Sequence, residues 1–373
     1  MPKLLFITTY PFYPEASGGS EQFLRYLFNS LQQLGWQIEV ICRLSSRLSS
    51  LRSPYFRRAC WQALTHFQKP SYWVMDEELG YPCWRLIGKF RNGKFRKARH
   101  WIDCLDQRLR EYRPDVVLSH DSPTSSLLNY AAHQGYPSFH FAQWLSEIDV
   151  PNEIHIIANS PFNASVTAQF TRNEIGILLP VTELDQYRVT KRDRQYITFI
   201  NPIPEKGVDV AIEIARRLPD ERFLFVKGNW GSYSASSIEA FMKPIYKLPN
   251  VEVWEHQRDM RRIYAVTDIL LVPSQFDETF GRVIVEAQVN GIPVVAANVA
   301  SIPYTLGQGG ILVEPKDNSQ GYVEALRQLR SDENLYKHLS ALALQNSQRP
   351  EFKPQQQVKN FIRFVESRTK VTA

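Results

Sequence analysis

Short apolar runs alternate with helically spaced stripes along the chain, and the alternation predicts strands and helices in turn. Residues 3–10 read KLLFITTY, a β-branched and aromatic run that predicts a buried strand. The loop PFYPEASGGSE follows and contains Gly18-Gly19. Phe23, Leu24, Leu27, Phe28, Leu31 and Leu34 then recur at helical spacing until Gly35, and WQIEVICR predicts a second strand. A strand, a helix and another strand in this order imply a parallel α/β domain.

The pattern lapses over residues 43–113 and then resumes. PDVVLSH (residues 114–120), PSFHFA and EIHIIANS read as strands, SPFNASVTAQF as a helix capped by Ser160, and GILLPV closes the half. The polar stretch TELDQYRVTKRDRQ is the predicted linker. Beyond it YITFI, RFLFVKG, VEVWEH, DILLVPS, IPVVAAN and GILVEP predict strands, and GVDVAIEIARRL, RDMRRIYAVT and GRVIVEAQVNG predict helices. A last amphipathic helix is expected in QQQVKNFIRFVESR, with Val358, Phe361, Ile362 and Val365 on one stripe. The expected fold class is therefore α/β, two tandem Rossmann-like doubly wound domains. The expected boundaries are 1–185 with an insertion at about 43–113, 195–355, and a C-terminal helix at 356–373. Ligands of such sheets collect beyond the carboxyl ends of the strands, and paired domains would place a cleft between two such edges.

A length of 373 residues also favours two domains over one. No stretch approaches the roughly 18 uninterrupted apolar residues of a membrane-spanning helix, and the N-terminal run is too short for a signal-peptide core. The chain is expected in the cytoplasm, at most attached to the inner membrane face. Cys42, Cys60, Cys83 and Cys104 lie singly, without metal-ligand spacing, and read as free thiols in a reducing compartment. The net charge of +6 is concentrated: residues 43–113 hold sixteen Lys or Arg against six Asp or Glu, interleaved with aromatic residues. This segment reads as a solvated helical insertion with aromatic core contacts, or as a surface for an anionic membrane or anionic acceptor. No recognition motif accompanies the charge, so nucleic acid is not expected as a partner.

The densest chemistry lies in residues 277–295, DETFGRVIVEAQVNGIPVV. Gly281 would let backbone N–H groups approach a ligand at a helix start, where they lack partners within the helix. Those groups suit sugar hydroxyls or a phosphate. Glu286, set among Val283, Ile284 and Val285, needs partners, and a vicinal diol such as ribose can give a carboxylate two O–H donors. The plainer alternative is a solvated Glu278 and a Glu286 paired with a nearby Arg or Lys.

In longer context these residues carry a resemblance. PSQFDETFGRVIVEAQVNGIPVVAAN resembles the E-x7-E signature of the retaining GT-B glycosyltransferases of family four (glycosyl transferases group 1). FINPIPEKGVDVAIEIARRLPDERFLFV is similar to that family's opening of the C-terminal domain, and ITTYPFYPEASGGSEQFLRYL to its N-terminal glycine loop. PDVVLSH and IIANS match further segments, so five stretches occur in family order, leaving out roughly residues 43–113. The resemblance implies two Rossmann-like domains facing across a cleft, with the final helix packed back on the first. It implies transfer of a sugar from a nucleotide-diphosphate donor to an acceptor hydroxyl, with retention and without metal or cofactor.

By motif position, the resemblance implies that Glu286 binds the nucleotide ribose and Glu278 the donor sugar, helped by the backbone of Phe280, Gly281 and Arg282. Lys206 would neutralise the diphosphate, Gly18 and Gly19 would lie against diphosphate or acceptor, and His120 would stand near the reacting sugar. Each has a plainer counterpart: a flexible Gly-Gly turn, an ordinary turn lysine, a histidine before a capped helix. One position departs from the family, because Asn201 stands where an arginine is usual; it can hydrogen-bond a phosphate but brings no charge. Arg282 or Lys227 would be the compensating cation. The Glu pair also admits a glycoside hydrolase, and the Asn201 departure with the basic segment admits a catalytically weak or inactive homologue acting as a membrane-surface binding protein. Neither GxxxxGK[ST] nor a strand-linked GxGxxG occurs, which removes P-loop and dinucleotide-binding readings.

Overall fold

The computed structural model describes residues 1–13, 19–44, 73–77, 79–86, 89–91, 94–96, 98–120, 126–145, 151–228, 233 and 235–371. The chain divides into two compact units, Met1–Pro180 with Gln355–Ala373, and Val181–Pro354.

The first unit is built on β1 (Lys3–Ile7), β2 (Gln37–Arg43), β3 (Trp73–Asp76), β4 (Cys83–Leu86), β7 (Val116–Ser119), β8 (Ser138–Ala142), β9 (Ile154–Ala158) and β10 (Ile175–Ile177). A separate hairpin pairs β5 (Lys89–Arg91) with β6 (Lys94–Arg96). The sheet order is β10-β9-β8-β7-β1-β2-β4-β3, parallel except for β3 against β4. Alternation along β1 sends Leu4 and Phe6 to one core and Leu5 and Ile7 to another. The first core takes Phe23, Leu27 and Leu31 from α1 (Gly19–Gln33). The other takes Trp101, Leu105 and Leu109 from α2 (Ala98–Tyr112) and Leu127 and Leu128 from α3 (Ser126–His133). Ser160 caps α4 (Pro161–Thr167), accepting a hydrogen bond from the Asn163 amide.

The second unit has β11 (Tyr196–Ile200), β12 (Phe223–Val226), β13 (Val251–Trp254), β14 (Thr267–Val272), β15 (Val294–Ala297) and β16 (Gly310–Val313), all parallel, in the order β13-β12-β11-β14-β15-β16. One face packs α5 (Val208–Arg217), α6 (Ala235–Ile245), α10 (Ser319–Ser331) and α11 (Glu333–Ser347) against Ile197, Phe199, Ile269 and Leu271. The other packs α7 (Arg261–Val266), α8 (Arg282–Gln288) and α9 (Ile302–Leu306). The last helix, α12 (Pro354–Glu366), places Val358, Phe361 and Val365 in the first unit's core beside Trp36.

Two expectations need correction. The stretch read as a linker is a strap on the second unit. Arg192 donates to the carbonyls of Asn290, Gly291 and Thr267 and to the Tyr336 hydroxyl, while Arg194 pairs with buried Asp268 at 2.7 Å. Its charges look solvated in sequence because their partners, mostly carbonyl oxygens, lie far along the chain. The basic segment, in turn, is not simply helical: β3 and β4 extend the sheet, and part of its charge is internal. Arg85 of β4 is 1% exposed and donates to the Tyr13 carbonyl, and Arg108 of α2 binds both oxygens of Glu39 at 2.9 Å. Residues 45–72, including Cys60, lie outside the described residues; Cys42, Cys83 and Cys104 are buried free thiols. No described helix is long and apolar enough to cross a membrane.

Candidate functional site

The order of the second sheet fixes where a ligand can be met. From β11 the chain winds outward through β12 and β13, and from β14 in the opposite direction through β15 and β16. Between β11 and β14 the connections diverge, the position at which doubly wound sheets bind ligands beyond their carboxyl ends. The loops leaving these two strands are residues 201–207 and 273–281, and they carry Asn201, Lys206, Glu278, Phe280 and Gly281.

The two loops are locked together. The Gln275 amide donates to the Glu205 carbonyl at 2.9 Å. Gly207 has a φ of +84°, and a Cβ there would lie 1.9 Å from the Pro273 carbonyl oxygen, so only glycine fits. The Lys206 ammonium is thereby set over the Phe276 ring at 4.7 Å and against the Glu278 carboxylate, which also accepts from Ser274 Oγ at 3.4 Å. Lys206 and Glu278 keep 25% and 13% of their side-chain surface exposed, so the pair remains reachable. Gly281 follows at φ +78° and opens α8 without a side-chain cap. Phe280 is a buried anchor: its ring meets Phe352 edge-on at 5.9 Å and its carbonyl accepts from Thr305 Oγ1 at 2.5 Å.

Glu286 lies one turn after Arg282 on α8. Its Oε1 is 3.1 Å from Arg282 Nη2, and its Oε2 accepts from the Tyr264 hydroxyl at 2.9 Å. Arg282 Nη2 also donates to the Tyr187 hydroxyl at 2.9 Å. Glu286 is thus partnered by a neighbouring arginine, as the plainer reading has it, and also by the Tyr264 and Tyr187 hydroxyls, yet a carboxylate offers about four acceptor sites. Arg282 is committed to Glu286. Lys227 is likewise paired, with Glu255 at 2.6 Å. Both cations considered as substitutes for the missing arginine therefore already face carboxylates. Asn201 sits at φ +72°, a left-handed conformation that asparagine tolerates, and its buried Oδ1 has no hydrogen-bond partner among the described residues.

In the first unit the corresponding divergence lies between β1 and β7, and His120 directly follows β7. Its Nε2 is 2.9 Å from Thr8 Oγ1, and its ring packs against Phe6 at 5.3 Å. His140, on neighbouring β8, is buried, and burial together with the nearby His120 holds its pKa down to about 4. Gly19 is the first residue of α1, whose Ser20 donates to the Gln143 side chain. Gly18 lies outside the described residues.

Sequence reading missed Tyr187, Tyr264, Ser274, Thr8 and His140. The i,i+4 spacing of Arg282 and Glu286 was a usable signal for their pairing; nothing local marks the tyrosines, which arrive from the strap and from α7. Among the described residues no group of three His, Cys, Asp or Glu side chains comes together as metal ligands.

These features are those of a Rossmann-like unit with a charged turn at its strand ends, and comparison with known proteins narrows the class. The family profile for glycosyl transferases group 1 matches residues 194–332. The D-inositol 3-phosphate glycosyltransferase of Corynebacterium aurimucosum is 30% identical over 217 residues, covering 48% of this chain and 51% of the relative. That of Segniliparus rotundus is 28% identical over 269 residues, 65% of this chain and 58% of the relative. The chain spans about half the length of the curated relatives it matches. Among solved structures, a glycosyltransferase from Rickettsia africae aligns with a TM-score of 0.77 at 15% identity over 98% of both chains. Anabaena Alr3699/HepE, solved in complex with UDP-glucose, aligns at 0.75 and 15% identity over 98% of this chain and 99% of that one. Residues 194–332 thus match the glycosyl transferases group 1 profile, and the chain has the α/β fold of the GT-B glycosyltransferases.

Proposed function

We propose that the chain is a retaining, metal-independent glycosyltransferase that moves a sugar from a nucleotide-diphosphate donor to an acceptor hydroxyl. The observation that carries this reading is the reachable Lys206–Glu278 pair at the β11/β14 divergence, with Glu286 on the adjoining helix. Lys206 faces the leaving diphosphate, and Glu278 exchanges that lysine for hydroxyls of the donor sugar. Glu286 accepts from the ribose diol. The bond from the anomeric carbon to the phosphate oxygen breaks while the acceptor oxygen bonds to the same face of that carbon, and the acceptor's proton passes to the leaving phosphate. Fixed donors aimed at such developing charge contribute about 3–4 kcal/mol each in a dry site. His120 stands near the reacting sugar, Gly18 and Gly19 lie against the diphosphate or the acceptor, and Asn201, Phe280, Gly281 and Arg282 complete the donor side. Glycoside hydrolysis is disfavoured, since it needs no such diphosphate-facing turn.

A panel of nucleotide sugars scored by thermal shift, followed by turnover on candidate acceptors, tests the proposal. A nucleotide-diphosphate sugar should stabilise the chain and be consumed only with an acceptor present. No stabilisation by any member of the panel would contradict it.

A second reading, contact with an anionic membrane face, is favoured by the composition of residues 43–113, with sixteen Lys or Arg against six Asp or Glu. Co-sedimentation with anionic but not zwitterionic vesicles is the expected result; equal binding to both would remove this reading.

A further inference from the structure

We propose that Arg282, Tyr264 and Tyr187 are positioning residues for Glu286, fixing the orientation of its carboxylate toward the vicinal diol of a ribose. The inference rests on the nucleotide-sugar reading above and deepens it. Arg282 reaches Oε1, Tyr264 reaches Oε2 and the Tyr187 hydroxyl also hydrogen-bonds the carboxylate, so the group cannot rotate without losing a bond. Glu286 is 6% exposed and Tyr264 fully buried, which makes the orientation rigid and the arginine's charge necessary to offset that of the carboxylate. Burial pushes the Tyr187 and Tyr264 hydroxyls above their ordinary range, so both stay protonated donors.

Tyr187 extends the device to the strap. It ends the short 3-10 turn Leu184–Tyr187, and its hydroxyl accepts from the same Arg282 nitrogen that faces Glu286. The strap is tied to the residues just beyond α8: Asn290 Nδ2 donates to the Tyr187 carbonyl at 3.0 Å, and the Val189 amide donates to Asn290 Oδ1 at 2.8 Å. Tyr187 and Tyr264 also meet edge-on at 6.4 Å, closing the cluster. The arginine is therefore fixed from both ends, and the polar strap has a task at the donor site.

The test uses the full chain with the nucleoside diphosphate that stabilises it most, and that nucleotide's 2′,3′-dideoxy counterpart, titrated calorimetrically. The unmodified protein should prefer the ribose form by about a hundredfold, the effect of two hydrogen bonds to a charged group. In Arg282→Met the preference should fall below about tenfold, the ribose form losing more affinity than the dideoxy form, and Arg282→Lys should recover part of it. Tyr264→Phe and Tyr187→Phe, which remove one oxygen each, carry the same test if Arg282→Met does not fold; each should lower the preference by a few fold. An unchanged preference in the folded variants, or a parallel loss for both nucleotides, overturns the inference and leaves the glycosyltransferase reading standing. Absence of any nucleotide binding by the unmodified chain defeats both.

Discussion

The two strand-end edges of this molecule are built differently. In the second unit, the β11/β14 edge is cross-linked: backbone ties Gln275 to Glu205, Gly207 admits no side chain beside Pro273, and Lys206, Glu278, Arg282 and Glu286 all have ionic partners. In the first unit, the β1/β7 edge shows His120 bonded to Thr8 beside a half-exposed Tyr10, and the Tyr13 carbonyl accepts from buried Arg85. A diphosphate and a ribose present the same geometry whatever sugar they carry, so a rigid, pre-paired turn suits them. Under the proposed function the first unit, which carries the basic segment, meets an acceptor that varies with the pathway.

The contrast predicts unequal responses to mutation. The largest is expected at Lys206: Lys206→Ala should lower kcat/KM by about a hundredfold to a thousandfold, as loss of one fixed transition-state donor does, with little change in melting temperature. Steady-state kinetics beside a thermal scan checks it; a tenfold loss or less would place the diphosphate elsewhere. Next comes a change confined to the first unit. Phe361→Ala, in the core shared by α12 and α1, should destabilise that unit by about 3–5 kcal/mol in denaturant unfolding while leaving nucleoside-diphosphate affinity intact. Affinity falling in step with stability would mean that the units do not behave separately.

The smallest effect concerns His140. Its folded pKa of about 4 lies below the ordinary histidine value near 6.5, so between those values the unfolded chain binds the extra proton. Stability should then rise with pH across that window, by at most about 1.4 kcal/mol per unit from this residue, and its contribution should level off below about pH 4. Replacing it, as in His140→Gln, should flatten that part of the profile in chemical unfolding measured from pH 4 to 7. A slope identical to the parent's would assign it to other groups.

Much of the fold was readable because buried strands in parallel sheets are continuous apolar runs. Tyr196–Ile200, Phe223–Val226 and Thr267–Val272 announce themselves in this way. Periodicity failed where polarity is internal. Arg85 inside β4 and Arg192 in the strap read as solvated positions, yet one is buried and the other is anchored on carbonyls. The charged turn was legible from motif order, and Arg282 with Glu286 from helical spacing. Tyr187 and Tyr264 were not, because their hydroxyls reach Arg282 and Glu286 from sequence distances of 95 and 22 residues. Asn201 was seen as a departure, and its left-handed backbone gives a physical reason for asparagine there.

The most direct measurement is calorimetric titration of a nucleoside diphosphate into the unmodified chain and into Glu286→Gln, which keeps the size of the side chain and removes its charge. Affinity should drop by about thirtyfold to a hundredfold in the variant, the cost of weakened hydrogen bonds to a charged acceptor. Equal affinity in the two proteins would contradict the assignment of Glu286 to the ribose and, with it, the donor site drawn at the β11/β14 edge.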